Sequence, residues 1–348
     1  MTVQEPETPA LHREGPRVVA LGGGHGLAAS LSALRRITHR LTAVVTVADD
    51  GGSSGRLRRE LGVLPPGDLR MALAALCGDD DWGRTWSEVV QHRFTSAGPL
   101  HDHAVGNLLI VALWQLLQEP VAGLDWVGKL LDAQGRVLPM AAVPLDIAAE
   151  VVGCDPAHPT QVTTVRGQVA VASTSGRVAS IALEPANPPA CAEAVAAIDE
   201  ADWVILGPGS WFTSVLPHLL VPDLQRAIVA SRARRLVTLN LAPQTGETTG
   251  FSQANLVEVL AAHAPDLRLD VVLADASAVE NVQELRDAVA AVGAELRLAD
   301  VAAPDGTARH DPLRLAAVFA EILTTADASP EGPEHAPPER HGRIASWR

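Results

Sequence analysis

The 348-residue chain contains no tyrosine, only four phenylalanines and only three cysteines. Cys77, Cys154 and Cys191 lie far apart with no C-x-x-C spacing, which argues against a disulfide framework and against a cysteine-held zinc. A reducing compartment, the cytoplasm, is the expectation. Long apolar runs are also missing. The longest, Leu108 to Trp114, is too short to cross a bilayer, and the first residues lack the charged and apolar regions of a leader, so no membrane insertion is expected. Basic charge is scarce: 27 Lys and Arg stand against 41 Asp and Glu, a formal net charge of −14, which excludes an extended nucleic-acid surface. The small arginine clusters at 56, 58, 59 and at 232, 234, 235 suit one small anion or a solvated helix face. There is no Walker A lysine and no H-E-x-x-H, and no spacing of Ser, His and Asp marks a hydrolytic triad.

What is present is a globular composition, 47% hydrophobic and 20% charged, with enough length for one large α/β unit or two smaller ones. Residues 1–15 and 325–348 are polar and proline-bearing without apolar periodicity, and read as a disordered arm and tail around a single domain, 16–324. Within it, short β-branched runs alternate with helical patterns, the signature of βαβ units and a mostly parallel sheet. Strands are expected at Arg17 to Leu21, Leu41 to Ala48, Trp203 to Leu206, Arg235 to Leu241 and Leu269 to Ala274. Leu27, Leu31 and Leu34 put an apolar stripe on the helix after the first strand, and further helices are expected from about Asn107, Thr213, Ser252 and Asp311. The Val-, Thr- and Ser-rich stretch at about 151–186 alternates, and reads as a small antiparallel β excursion.

The chemistry is concentrated in glycine-rich loops. Gly22, Gly23, Gly24, His25 and Gly26 close the first strand and open a helix, so backbone N–H groups and the positive helix end point at one spot, which favours a phosphate. A tight glycine turn serving helix packing is the plain alternative. GHGLAA also matches G-x-G-x-x-A, and Asp49 falls where a dinucleotide fold keeps its ribose carboxylate. Next comes Asp49, Asp50, Gly51, Gly52, Ser53, Ser54, Gly55 and Arg56, in which paired carboxylates suit Mg²⁺ and a guanidinium suits phosphate. An N-cap at Ser53 or Ser54 is the simpler role for those hydroxyls. Leu64 to Arg70 forms a rigid turn that aims Asp68 and Arg70 back at the same place, or caps a helix. In the H-x-H segment His101 to Asn107 no third ligand follows at motif spacing, so Asn107 as a ligand-binding amide or a helix cap is preferred to a metal pair. Two later loops repeat the design: Gly207, Pro208, Gly209, Ser210, and Gln244, Thr245, Gly246, Glu247, Thr248. Four such loops ending parallel strands define one ligand edge.

Taken in order, GGGHGL, TVADDGGSSGRLR, LPPGDLR, HAVGNLL, LGPGSWFTSVLPHLLVP and QTGETTGF resemble the YvcK group of the CofD-like family, over about Arg17 to Ala320. The resemblance implies a three-layer α/β/α Rossmann-like fold, the label gluconeogenesis factor, binding of UDP-N-acetylglucosamine or a related nucleotide sugar, and a role in cell shape through cell-wall synthesis proteins. It implies Gly22 to Gly26 as diphosphate cradle, Asp49 and Asp50 as the acidic pair near ligand or Mg²⁺, and Asn107, Gly209, Ser210, Gln244 and Glu247 as polar contacts. His25 stands where the family commonly has threonine. Phe251 stands where a tyrosine is usual, which keeps a stacking face for uracil and loses a hydroxyl. The expected function is therefore a nucleotide-sugar-binding regulator that requires no cofactor. The alternatives are a Mg²⁺-dependent CofD-like transfer of a phospholactyl or phosphoenolpyruvyl group and, third, an NAD-dependent oxidoreductase. A homodimer is the default oligomer.

Overall fold

The computed structural model describes residues 15–325 except 156 and 245, so the expected arm and tail lie almost wholly outside the described residues. Ten strands are present among the described residues: β1 (Val18–Gly22), β2 (Leu41–Val45), β3 (Arg136–Pro139), β4 (Asp146–Val152), β5 (Val162–Arg166), β6 (Arg177–Glu184), β7 (Trp203–Leu206), β8 (Arg234–Thr238), β9 (Val271–Asp275) and β10 (Glu295–Ala299). Seven of them form one parallel sheet in the order β10-β9-β8-β7-β1-β2-β3, flanked by helices as a three-layer α/β domain. The inner strands β1, β7 and β9 are buried at every position, as expected where helices cover both faces and strands read as unbroken apolar runs.

The chain runs outward from β1 through β2 to β3, then returns to place β7 on the other side of β1, from where β8, β9 and β10 run outward again. Strand order therefore reverses between β1 and β7. The connections leaving these two neighbours diverge to opposite sides and open a crevice at their carboxyl ends, where ligands settle in open α/β sheets.

Between β3 and β7 the chain makes the antiparallel excursion, three strands in the order β5-β4-β6. It begins at Asp146 and ends at Glu184, a few residues earlier at each end than the composition indicated. Other boundaries also move. The second strand stops at Val45 and the one after residue 233 stops at Thr238, each three residues short of the apolar pattern, because the following residues leave the ladder to enter loops at the carboxyl edge. The helix expected from Thr213 is instead a π-helical turn, Trp211–Val215, followed by a 3₁₀ segment, Leu216–Leu220. Pro217 lacks an N–H donor and forbids a regular helix through this stretch. The helix Gln253–His263 starts as expected, with Ser252 and Asn255 forming a reciprocal capping box.

Candidate functional site

The glycine loops after β1, β2, β7 and β8 meet at the carboxyl edge of the sheet. Gly23 is extended, and a Cβ there would lie 2.6 Å from both Asp68 Oδ2 and Thr46 Oγ1, so only glycine lets these side chains press against the first loop. A Cβ on Gly26 would come within 2.3 Å of the Pro208 carbonyl oxygen, which brings the first and third loops into backbone contact beside the β1/β7 reversal. The second loop joins through Asp50, whose Oδ1 accepts from the Val169 amide at 3.0 Å, and the fourth through Gly246, whose Cβ position lies 2.3 Å from the Ala172 carbonyl. The short helix Gln168–Ala172 of the excursion thus lies between the second and fourth loops.

Behind the first two loops sits a buried acidic pair. Asp68 accepts from Thr46 Oγ1 at 3.1 Å and from the Gly24 amide, and burial, reinforced by the nearby Asp49 carboxylate, raises its pKa to about 7. Burial also raises Asp49, although its Oδ1 accepts from the Gly51 amide at 2.9 Å and Ser54 bonds to it. Arg70, 4% exposed, couples to this pair by charge while its Nη1 donates to Gln91 Oε1, and its pKa is lowered to about 10 first by burial and then by Arg93. Arg56 does not fill that place. Its Nη2 donates to the His101 carbonyl at 2.7 Å and its Nη1 to that of Pro99 at 3.4 Å, tying the helix Gly52–Leu61 to the 99–101 loop.

The hydroxyls of the second loop are engaged inside the protein. Gly51, not Ser53 or Ser54, is the N-cap residue, and both serines are at most 3% exposed. Ser53 Oγ accepts from the Ala104 amide at 3.3 Å and Asn107 Nδ2 at 3.1 Å, which leaves its proton for His103 Nδ1 at 3.0 Å. His103 is therefore neutral, with its proton on Nε2, in keeping with a pKa lowered by burial. Ser54 Oγ accepts from the Gly67 amide at 3.0 Å and so fixes the turn that delivers Asp68. Asn107 does not cap its helix, Val105–Leu117, whose N-cap is Ala104; its Oδ1 is buried without a partner among the described residues. His101 and His103 serve different neighbours, Ser96 and Ser53, and among the described residues no group of three or more His, Cys, Asp or Glu is placed to hold a metal.

The third and fourth loops are locked by Glu247. This carboxylate is 3% exposed and accepts from Ser210 Oγ at 2.6 and 2.5 Å, Thr213 Oγ1 at 3.0 Å and the Phe212 amide at 3.3 Å, while burial raises its pKa. Phe251 packs edge-on against Phe212 with ring centroids 6.1 Å apart. Gly207 and Gly209 take positive φ, 76° and 144°, and Asn240 clamps Gly209 by accepting from its amide at 2.9 Å and donating to its carbonyl at 2.8 Å.

A cleft of about 350 Å³ opens beside this clamp, lined by His25, Gly26, Gly209, Asn240 and Gln244, and closed from the far side by Ala308, Arg309 and His310. Burial lowers His310 to a pKa of about 4, so at neutral pH it offers an uncharged ring, and its Nε2 is buried without a partner among the described residues. Asn240, Arg309 and His310 were not found from sequence. Asn240 lies two residues beyond β8 but inside the strand expected at Arg235 to Leu241, which hid it as a ladder residue. Arg309 and His310 belong to a loop after β10, a strand that the pattern did not reveal.

Fold and site together define an open parallel α/β protein whose glycine-rich loops meet at its strand reversal. The family described as 2-phospho-L-lactate transferase CofD matches residues 18–304, and the chain belongs to this CofD family. A Mycobacterium leprae relative is 54% identical over 304 residues, covering 86% of this chain and 84% of its own. The Listeria innocua protein named gluconeogenesis factor is 36% identical over 264 residues, covering 76% of this chain and 79% of its own. The crystal structure of a UPF0052-family protein from Bacillus halodurans superposes with a TM-score of 0.78 at 30% identity, covering 89% of this chain and 99% of that one. Among the described residues no helix is long and apolar enough to cross a membrane.

Proposed function

We infer that this chain is a regulatory protein of the gluconeogenesis-factor type that binds a nucleotide sugar, UDP-N-acetylglucosamine, and so links central carbon metabolism to cell-wall synthesis and cell shape. The observation that carries this is the meeting of the four glycine loops at the strand reversal, next to a cleft with an uncharged histidine and an arginine. The helix start at His25 and Gly26 suits a diphosphate, the Gly24 amide being taken by Asp68, and the cleft beside Asn240 and Gln244 suits a small polar base. The polar groups nearest the loops, Ser53, Ser54, Ser210 and Glu247, are spent on holding the loops together, which favours a binding role over a nucleophilic one. Isothermal titration with UDP-N-acetylglucosamine, UDP and NAD⁺ tests this: heat from the sugar nucleotide and little from NAD⁺ is the expected result. No heat from UDP-N-acetylglucosamine removes the reading, and heat from NAD⁺ alone favours the dinucleotide alternative.

A second reading, CofD-like group transfer, is favoured by the raised pKa values of Asp49 and Asp68, because two carboxylates held apart from water and close together gain from a divalent cation. These residues fit Mg²⁺ better than the Asp49 and Asp50 pair, since Asp50 is turned toward the excursion and bonded to Val169. Mg²⁺ there would neutralise charge on a transferred phosphoryl group. An unchanged mass of a deazaflavin acceptor after incubation with an activated phospholactyl or phosphoenolpyruvyl donor and Mg²⁺ speaks against it.

A further inference from the structure

The outer strand of the excursion is an open sheet edge with a self-matching pattern. β5 pairs with β4 alone, antiparallel, with Glu150 opposite Thr164. The flanking bonds run from Gly153 N to Gln161 O at 3.2 Å and from Gly167 N to Ile147 O at 2.8 Å. Facing residues in an antiparallel ladder alternate between bonded and non-bonded pairs. Thr163 and Val165 therefore bond inward to Val151 and Ala149, while the N–H and C=O groups of Val162, Thr164 and Arg166 point away from the sheet. No described residue takes up those outward groups.

Protein edges of this kind are normally protected by proline, lysine, a bulge or a covering element. The sequence Val-Thr-Thr-Val-Arg has no proline, its one charge, Arg166, is paired with Glu184 Oε1 at 3.1 Å, and Val162 is 52% exposed. It also carries no carboxylate, so the chain's net charge of −14 is not concentrated here.

We propose that β5 is a homodimer edge, at which two copies of this chain pair antiparallel about a two-fold axis at Thr164 and join their excursions into one continuous sheet. In that register Thr164 faces Thr164 of the second copy and Val162 faces Arg166, so every outward N–H on either strand meets an outward carbonyl. Both ends of the pairing are then equivalent, as a closed two-fold interface requires, and the central pair is Thr–Thr, which is favourable across strands. A foreign extended peptide could take up the same amides; the Thr–Thr centre and the absence of any carboxylate from β5 let a second copy do so with no like charges directly opposed, and cross-linking confined to position 164 is the outcome that only a second copy gives. The interface is small, and its dissociation constant is expected on the order of 10 to 100 μM. It lies three residues before Val169, whose amide holds Asp50, yet it does not depend on the identity of the ligand.

The test is sedimentation velocity on the full chain from about 1 to 500 μM, a range that brackets the affinity expected for so small an interface. The mass should rise from the chain's 36.5 kDa toward twice that value. Thr164→Lys, which sets two ammonium groups against each other, should weaken association at least about tenfold with an unchanged circular dichroism spectrum. As a positional test, Thr164→Cys in a Cys154→Ser background should form a covalent dimer on mild oxidation. Directly opposed bonded residues have Cα atoms about 5.5 Å apart, inside the disulfide range. Thr163→Cys should not, because its counterpart is Val165 and its side chain points to the other face. A monomer throughout the range, a dimer that Thr164→Lys leaves intact, or equal cross-linking at 163 and 164 overturns the proposal.

Discussion

The parallel sheet and the antiparallel excursion solve different problems. In the parallel sheet, β1 and β9 have every side chain buried, and the loops at its carboxyl edge meet backbone to backbone, as at Gly26 and Pro208. In the excursion, β6 alternates and β5 has no fully buried residue, and the contacts it sends to the loops are local: the Val169 amide on Asp50, the Val169 side chain beside Gly51, and the carbonyls of Ala172 and Thr174 beside Gly246. The sheet therefore fixes where the loops are, and the excursion bears on two of them from outside. Burial is concentrated in the first region, and an exposed strand edge belongs to the second.

The largest effect expected from this contrast is on stability. Leu21→Ala in β1, a side chain with no exposed surface, should cost about 2–5 kcal/mol in urea denaturation, whereas Val162→Ala in β5 should stay within about 0.5 kcal/mol. Comparable losses at the two positions would erase the distinction. A nearly equal effect is expected from pH. The Asp68 carboxyl has its pKa raised to about 7 in the folded protein against a model value of 3.8, so the folded state binds the proton more tightly. Stability should then be highest with Asp68 protonated and should fall as pH rises from about 4 through 7, by up to about 4 kcal/mol if this group acted alone. Asp68→Asn, which keeps an acceptor for Thr46 and the Gly24 amide, should flatten that slope. An unchanged slope would mean that Asp68 is not the buried acid responsible.

The contrast also explains what the sequence could reveal. Continuous apolar runs made β1, β7 and β9 visible, and the glycine motifs marked all four loops, because both signals are local. β3 escaped notice since Arg-Val-Leu-Pro is four residues long and ends in proline, and β10 because Glu-Leu-Arg-Leu-Ala lies half-exposed at the sheet edge. Asp50 was readable as a site residue, but its partner Val169 lies 119 residues away, a contact that no spacing rule reports. Arg56 was legible as a cation near the acidic loop but reaches to the 99–101 loop, whereas the turn from Leu64 to Arg70, read as aiming Asp68 and Arg70 at one place, does set Arg70 close enough to Asp49 and Asp68 to couple with their charges. Charges are legible in a sequence, whereas their directions belong to tertiary structure.

A smaller and more specific effect should follow at the junction between the regions. Gly246 has φ 89°, and an added Cβ would strike the Ala172 carbonyl, so Gly246→Ala should cost about 1–3 kcal/mol and push the excursion helix off the fourth loop. If the excursion closes on bound ligand, affinity for UDP-N-acetylglucosamine should fall more than stability does, as read by titration at a temperature where the variant is fully folded. Unchanged affinity would confine the excursion to a structural role.

The smallest effect isolates a single hydrogen bond. Asp50→Ala removes the acceptor for the Val169 amide, a partly exposed contact whose loss should cost about 0.5–1.5 kcal/mol. Because the sheet does not depend on it, the cost should appear as local opening. Hydrogen exchange should quicken at Val169 and its neighbours in the Gln168–Ala172 helix, while amides of β1 and β7 keep their protection. Asp50→Asn, which retains an oxygen acceptor without the charge, should restore most of the protection at Val169. If Asp50→Ala instead speeds exchange across β1 and β7, the excursion and the sheet open as one unit, and the division of labour between them is wrong.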